Sequence, residues 1–216
     1  MEENLTPVPQ LLKDSLFLVT GAGQGNGRAI AAGVAATGAK VIVTDVRQDT
    51  AETAAHEIRS GGGKAWAYQL DVTDAAACAE LSQRVEREVG PANVVVNNAG
   101  IIIRETIDSP KAPENWRRVM DVNVNGIFNV VHAWLPALRK TRGNIINVAS
   151  IASFVGVGST LGYPRYTRPS RPGASPGGKP SLRFAAPGGA CARVGNRAPV
   201  AASRRARGRP QSSRDT

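Results

Sequence analysis

The chain has 216 residues, of which 42% are apolar and 20% charged, so one or two globular domains with a sizeable core are expected. No apolar run reaches the roughly 18 residues of a membrane span, and Met1–Lys13 lacks the layout of a secretory signal. These features predict a soluble cytoplasmic protein without a membrane partner. Two cysteines are too few for a disulfide framework or a zinc site, so no metal centre is expected.

The net charge of +10 is concentrated at one end of the chain. Residues 164–216 hold 12 of the 27 basic residues, one of the 17 acidic residues and eight of the 14 prolines. Such a segment buries too little apolar surface to offset its ordering entropy, which predicts a disordered basic tail. An ordered domain is predicted over residues 15–163, after an N-terminal extension over residues 1–14.

Short apolar runs alternate with amphipathic segments throughout the predicted domain. Runs that are apolar on both faces are typical of parallel strands covered by helices on each side. They lie at Leu16–Val19, Val41–Val43, Ala65–Leu70, Val94–Val96 and Ile145–Val148. The alternation predicts an α/β fold with a doubly wound, Rossmann-like parallel sheet.

The segments between these runs follow helical spacing. Thr73 or Asp74 is predicted to cap one helix. A single long helix is predicted over Glu114–Arg139, with one apolar stripe facing the core. The members of that stripe are Trp116, Met120, Ile127, Val131, Trp134 and Leu138.

The first predicted strand leads into a glycine-rich turn that opens a helix. Glycines let the backbone turn tightly and approach a pyrophosphate, which binds at the positive end of the helix. Because the strand and the helix supply the context that such a motif requires, the turn is predicted to bind a dinucleotide. Its candidate contacts are Thr20, Gly21, Gly23, Gln24, Gly25, Asn26 and Gly27. A glycine-rich turn without a ligand is the alternative.

Asp45 stands at the end of the second run, 24 residues after Gly21. A carboxylate at this point accepts hydrogen bonds from the adenosine ribose hydroxyls and repels a 2′-phosphate, so NAD is predicted over NADP. Arg47 lies two residues further on and could offset this repulsion. A plain solvated carboxylate is the alternative.

Two further motifs, Asp71-Val72 and Asn97-Asn98-Ala99-Gly100, follow at set intervals. Together with the glycine spacing they resemble the short-chain dehydrogenase/reductase family over about Ser15–Ser159. The resemblance implies an NAD(P)-dependent oxidoreductase that transfers hydride between nicotinamide and a small-molecule secondary alcohol or ketone. It also implies that five residues line the cofactor cleft, namely Asp71, Val72, Asn98, Ala99 and Gly100. One departure is Asn26, where the family usually has an aliphatic residue.

Two candidate catalytic residues also rest on this resemblance. Val122-Asn123-Val124-Asn125-Gly126 is similar to the family's helix motif, whose asparagine holds a water for proton relay. Because Asn123 falls on the predicted stripe, its amide is expected to face inward, and a purely structural buried asparagine is the alternative. Asn125 and Asn129 fall off the stripe and are predicted to be incidental. Ser150 is similar to the catalytic serine after the fifth strand, whose hydroxyl donates to a substrate oxygen.

The family pattern breaks at its tyrosine. The resemblance requires a tyrosine that exchanges a proton with the substrate, followed four residues later by a lysine. Tyr163 and Tyr166 are the candidates, but Thr167 and Ser170 stand where the lysine is needed. Turnover is therefore predicted to be weak or absent. A non-catalytic NAD-binding protein is the alternative function.

A change of reading frame at Thr167 is a hypothesis that accounts for the missing lysine and the change in composition. Tyr166–Ser170 can be encoded TAC ACG CGT CCA AGC, and one base restored after TAC AC gives Tyr-Thr-Ala-Ser-Lys. On this hypothesis Tyr166 is the ancestral proton donor and the sheet is incomplete at its C-terminal edge. The homo-oligomer expected for the family is then in doubt. Binding of nucleic acid by the basic tail is a further alternative, but the tail has too few aromatic residues for a specific platform.

Overall fold

The computed structural model describes residues 10–150 and the backbone of Ala192–Arg193. Six strands form one sheet in the order β3-β2-β1-β4-β5-β6. In chain order the strands are β1 (Leu16–Val19), β2 (Lys40–Asp45), β3 (Lys64–Gln69), β4 (Val94–Asn97), β5 (Asn144–Asn147) and β6 (Ala192–Arg193). β1 to β5 are parallel, and the two-residue β6 runs antiparallel to β5 at the C-terminal edge. The predicted α/β fold with a parallel sheet is confirmed.

Five α-helices and one π-helical segment lie in the described part of the chain. They are α1 (Gly25–Ala36), α2 (Gln48–Ser60), α3 (Ala75–Glu88), α4 (Ala112–Met120), the π-helical segment (Asp121–Asn125) and α5 (Gly126–Thr141). Asp74 is the N-cap of α3, since its carboxylate accepts from the backbone N–H groups of Ala76 and Ala77 at 2.9 Å. Of the two predicted caps, the structure therefore selects Asp74.

Successive residues of each strand pack on opposite faces of the sheet. Phe17 and Val19 face α1 and α2, whereas Leu16 and Leu18 face α3 and α5. The buried helical residues of the first layer are Ala31, Ala35, Ala51, Ala54, Ala55 and Ile58. Those of the second layer are Cys78, Leu81, Val85, Val130, Trp134 and Leu138. Alanines allow α1 and α2 to approach the sheet closely, and burial on both faces explains why the strands are continuously apolar.

The prediction of one helix over Glu114–Arg139 is wrong, because the π-helical segment separates α4 from α5. Within α4 the buried face lies one residue before the predicted stripe: Trp116 is 40% exposed, whereas Asn115 is buried. Asn115 tolerates burial because its amide donates to the Glu105 carboxylate at 3.2 Å. Bulky apolar residues therefore do not mark the inner face of α4.

Residues 10–14 form turns that pack against the connection between α1 and β2. The backbone N–H of Leu12 donates to the carbonyl of Thr37 at 3.1 Å, and the Leu12 side chain contacts the first core layer. This part of the predicted N-terminal extension therefore contacts the sheet domain. Residues 1–9 and, β6 apart, the predicted tail lie outside the described residues. Within residues 10–150, no helix combines the length and apolar character needed to cross a membrane.

Candidate functional site

The direction of the sheet order reverses between β1 and β4. β1 is followed in space by β2 and β3 on one side, and β4 by β5 on the other. In open parallel sheets the ligand-binding crevice is expected at such a topological switch point, outside the carboxyl ends of the strands. The glycine turn follows β1, and Asn98-Ala99-Gly100 follows β4, so both predicted motifs border the crevice.

The backbone of the turn after β1 depends on glycine. Gly21 and Gly25 have φ values of +60° and +54°, which residues with a side chain rarely adopt. A Cβ at Gly27 would lie 2.3 Å from the Gly21 carbonyl oxygen and 2.4 Å from Asn98 Nδ2. The turn and the helix that follows it can approach this closely because these positions lack a side chain.

Helix α1 begins without a side-chain cap. Gln24 occupies the N-cap position in an extended conformation, its side chain makes no capping hydrogen bond, and the first turn contains no acidic residue. A Cβ added at Gly25 would meet no heavy atom within 4 Å, so this side of the turn is open. The first N–H groups of a helix have no intrahelical acceptor, and an anion satisfies them. The residues present therefore fit the pyrophosphate of a dinucleotide.

Thr20 and Asn98 connect the two loops that border the crevice. The buried Thr20 hydroxyl accepts from the backbone N–H groups of Asn98 at 3.1 Å and Ala99 at 3.0 Å. Asn98 Nδ2 donates to the carbonyl oxygens of Thr20 at 2.9 Å and Gly21 at 3.0 Å. The structure thus brings Thr20, Asn98 and Ala99 together behind the glycine turn, while Gly100 is exposed beside it.

The Asp45 carboxylate lies at the end of β2, next to the glycine turn. One oxygen accepts from the Gly23 N–H at 3.1 Å and the other accepts from the Arg47 N–H at 3.2 Å. The Arg47 guanidinium forms an ion pair with Asp49 at 2.5 Å. The hydrogen bond from its side chain to Asp49 and the Asp49 charge raise the pKa of Arg47, and the charge of Asp45 adds a smaller contribution in the same direction.

The Asp71-Val72 motif forms the loop after β3. Asp71 is exposed and accepts from the N–H and the hydroxyl of Thr73 at 2.9 and 2.8 Å, whereas the Val72 side chain is buried. Asn129 Nδ2 donates to the carbonyl oxygens of Val72 at 3.0 Å and Thr73 at 3.2 Å. The prediction that Asn129 is incidental is therefore wrong. Hydrophobic periodicity missed it because hydrogen bonds to backbone carbonyls leave no apolar signal.

Asn123 lies in the π-helical segment and holds the loop after β4. Its Oδ1 accepts from the Ile101 N–H and its Nδ2 donates to the Ile101 carbonyl, both at 2.8 Å. Both ends of the half-buried amide thus bind the backbone of one residue. Asn125, by contrast, is exposed and donates to the Asp121 carboxylate.

Of the predicted catalytic serine and tyrosines, Ser150 belongs to the described part of the chain. Ser150 is half-buried and lies three residues beyond β5, at the same carboxyl edge of the sheet as the crevice. Tyr163 and Tyr166 lie outside the described residues. The described geometry therefore concerns the cofactor half of the candidate site.

Comparisons with known proteins agree with this geometry. A family model for short chain dehydrogenases matches residues 15–164. The chain belongs to the short-chain dehydrogenase family. "Probable oxidoreductase EphD" of Mycobacterium tuberculosis is 40% identical over 153 residues, which are 69% of this chain and 26% of that protein. Cyclohexanol dehydrogenase of an Acinetobacter species is 34% identical over 151 residues, 69% of this chain and 60% of that protein.

A solved structure extends the similarity to three dimensions. A gluconate 5-dehydrogenase from Burkholderia cenocepacia, crystallised with NADP and tartrate, has a TM-score of 0.68 and 32% sequence identity with this short-chain dehydrogenase. The similarity covers 73% of this chain and 62% of that one. The chain thus spans between 26% and 62% of the length of these three relatives. The family resemblance inferred from the motifs is confirmed.

Proposed function

We propose that this chain binds NAD at the switch point of its sheet. The observation that carries the proposal is the uncapped N-terminus of α1, which follows a turn built on glycines that tolerate no side chain. When bound, the nicotinamide accepts or donates the hydride. In the proposal, Gly21 to Gly27 bind the pyrophosphate, Asp45 binds the adenosine ribose, and Asp71 and Val72 border the adenine.

Asp45 favours NAD over NADP for an electrostatic reason. Its carboxylate lies beside the glycine turn, where it accepts ribose hydroxyls and repels a 2′-phosphate. Arg47, the nearest cation in sequence, forms its ion pair with Asp49, which competes with Asp45 for the guanidinium charge. The preference needs a direct test, since the gluconate 5-dehydrogenase relative was crystallised with NADP.

Calorimetric titration of the purified chain with NAD and with NADP tests this preference. The chain is expected to bind NAD more tightly, and Asp45→Asn, which keeps the shape and removes the charge, should reduce the preference by about tenfold or more. Glu52→Gln is the matched control, because it removes an exposed carboxylate on α2 that pairs with Arg59. Equal affinity for the two dinucleotides, or a preference that survives Asp45→Asn, would contradict the assignment.

The proposed reaction is oxidation of a secondary alcohol, or the reverse reduction of a ketone, and it is impaired in this chain. The Ser150 hydroxyl donates to the substrate oxygen, Tyr166 or Tyr163 exchanges its proton, and Asn123 holds a water for relay. An ordinary phenol has a pKa of about 10, so it needs a nearby cation to work near neutral pH. Residues 167 and 170 are Thr and Ser, so neither tyrosine is followed four residues later by the lysine that would supply this cation.

Saturable NAD binding without turnover is the expected result for this chain. It is measured by titration and by the absorbance of reduced nicotinamide with a panel of secondary alcohols that includes cyclohexanol. The same result supports the second candidate, a non-catalytic NAD-binding protein, which the missing lysine favours. Steady NAD-dependent oxidation of any of these alcohols would refute the impairment, and failure to bind NAD would refute both candidates.

A further inference from the structure

One helical unit contacts the backbone of two loops that border the proposed cofactor site. Asn123, in the π-helical segment, makes two hydrogen bonds to Ile101 in the loop after β4. Asn129, on the following helix α5, makes two hydrogen bonds to Val72 and Thr73 in the loop after β3. The five residues between the two asparagines therefore set the distance between these two loops.

From this arrangement we infer that Asn129 is a positioning residue for the adenine half of the dinucleotide. It acts through the carbonyl oxygens of Val72 and Thr73 and fixes the loop that carries Asp71. The inference rests on the proposed function, because it concerns the same NAD site. Neither the family resemblance nor the sequence periodicity pointed to this residue.

The packing around Asn129 shows that the loop is seated closely on α5. Gly126 lies one helical turn earlier on the same side, and a Cβ at that position would be 2.6 Å from Val72 Cγ2. The Val72 side chain, 6% exposed, fills the space that Gly126 leaves. Gly126 and Asn129 lie three residues apart on one face of the helix. Gly126 leaves room for the Val72 side chain, and Asn129 bonds the backbone of Val72 and Thr73.

The chemistry of the amide explains why asparagine is needed at position 129. The Nδ2 group has two N–H donors, and each serves one of two successive carbonyl oxygens. A leucine of similar size would leave the part-buried Val72 carbonyl and the exposed Thr73 carbonyl without this donor, and an aspartate would place negative charge against them. A loop held in advance in its binding conformation needs less ordering when the adenine binds.

The test uses the full chain with Asn129→Leu and Asn129→Asp, and Asn125→Leu as the matched control. Asn125 is a second amide in the same helical unit, but it bonds the exposed Asp121 carboxylate and contacts neither loop. The probe is 1,N6-etheno-ADP-ribose, whose fluorescence anisotropy reports both its affinity and the mobility of its adenine when bound. Hydrogen exchange of the loops after β3 and after β4, together with thermal unfolding, completes the measurements.

Both Asn129 variants are expected to weaken the probe about tenfold and to lower the anisotropy of the bound probe at saturation. Exchange should accelerate after β3 and stay unchanged after β4, and Asn125→Leu should behave as the parent chain. The inference is overturned if the Asn129 variants bind like the parent or bind weakly with unchanged bound-state anisotropy. It is also overturned if both variants fail to fold, since Asn129 would then serve stability alone. A parent chain that does not bind the probe would instead refute the proposed function.

Discussion

Two glycines on helix α1, six residues apart, differ in what surrounds them. A Cβ at Gly27 would lie 2.3 Å from the Gly21 carbonyl oxygen, whereas a Cβ at Gly33 would meet no heavy atom within 4 Å. The sequence motif singles out Gly27, but it does not show how closely the backbone approaches that position. The pair therefore separates a residue that the candidate site requires from one that the helix merely tolerates.

Substitution of each glycine by alanine should have opposite effects. Gly27→Ala is expected to lower the free energy of unfolding by about 1–3 kcal/mol and to abolish NAD binding, because the new methyl group displaces the turn. Gly33→Ala should raise the free energy of unfolding by about 0.5–1 kcal/mol, because alanine favours the helix and has room. Urea unfolding and NAD titration measure both. A Gly27→Ala chain that binds NAD like the parent would show that the close approach is dispensable.

Tyr68 contributes to stability in a way that depends on pH. Its hydroxyl donates to the Glu88 carboxylate at 2.7 Å, and the Arg84 guanidinium lies 5.0 Å from the ring centroid. Burial, and then the hydrogen bond to Glu88, raises the pKa of Tyr68 from 10 to about 12. Since the folded state holds the proton more tightly than the unfolded state, this contribution is complete below about pH 10 and is lost as the pH rises towards 12.

Tyr68→Phe should therefore change the alkaline stability curve. At neutral pH the variant is expected to be less stable by about 1 kcal/mol, because the hydrogen bond to Glu88 is lost. The difference from the parent should shrink between about pH 10 and pH 12, where the parent loses its phenol proton on unfolding. Chemical unfolding at a series of pH values measures this. Curves that stay parallel throughout the alkaline range would show that Tyr68 does not titrate as described.

At the scale of elements, the strands were predictable and the last helices were not. β2 was predicted as Val41–Val43, and its polar ends were missed because Lys40 and Asp45 pair with β3 through the backbone. Trp134 and Leu138 were placed correctly in the core. The division between α4 and α5 was not foreseen, since a π-helical segment inserts one more residue per turn without any change in composition. The contact of Asn129 with the loop after β3 was missed because hydrogen bonds to backbone carbonyls leave no signal in the hydrophobic pattern.

The cap of helix α3 gives a prediction at this scale. Asp74→Ala removes the acceptor of two backbone N–H groups and should lower the free energy of unfolding by about 1 kcal/mol. Glu80→Ala, an exposed substitution within the same helix, should change stability by a few tenths of a kcal/mol at most. Both are measured by urea unfolding. If the two variants lose the same stability, the carboxylate of Asp74 is not acting as a cap.

At the scale of the whole molecule, the charge composition changes abruptly near residue 163. Residues 1–163 contain 15 basic and 16 acidic residues, whereas residues 164–216 contain 12 basic and one acidic. The sequence motifs predicted for the cofactor lie together after β1 and β4, and they could be found in the sequence because glycines and strand ends are local signals. The tyrosine half could not be predicted with the same certainty, because neither candidate tyrosine has its lysine.

The reading-frame hypothesis predicts what the gene and a repaired gene should give. Resequencing should show a missing base near the codon of Thr167, and a gene with one base restored should encode Tyr-Thr-Ala-Ser-Lys after Arg165 and yield NAD-dependent turnover. The repaired product gains the cation that lowers the pKa of the phenol. An unambiguous read through codon 168, matched by the mass of the intact protein, would remove the hypothesis.

The hydrogen bonds between Thr20 and Asn98 have a consequence for the order in which the chain folds during synthesis. Asn98 Nδ2 reaches the carbonyl oxygens of Thr20 and Gly21 across 78 and 77 residues of sequence. During synthesis, the glycine turn leaves the ribosome before β4, so its hydrogen bonds to Asn98 form only after β4 has been translated. During that interval the turn has its hydrogen bonds to β2, from Ala22 to the Thr44 carbonyl and from Gly23 to the Asp45 carboxylate, but not those to Asn98. The most recognisable signature of this chain is thus translated before the strand that completes its support, and competence to hold a nucleotide arises only once the fourth strand docks.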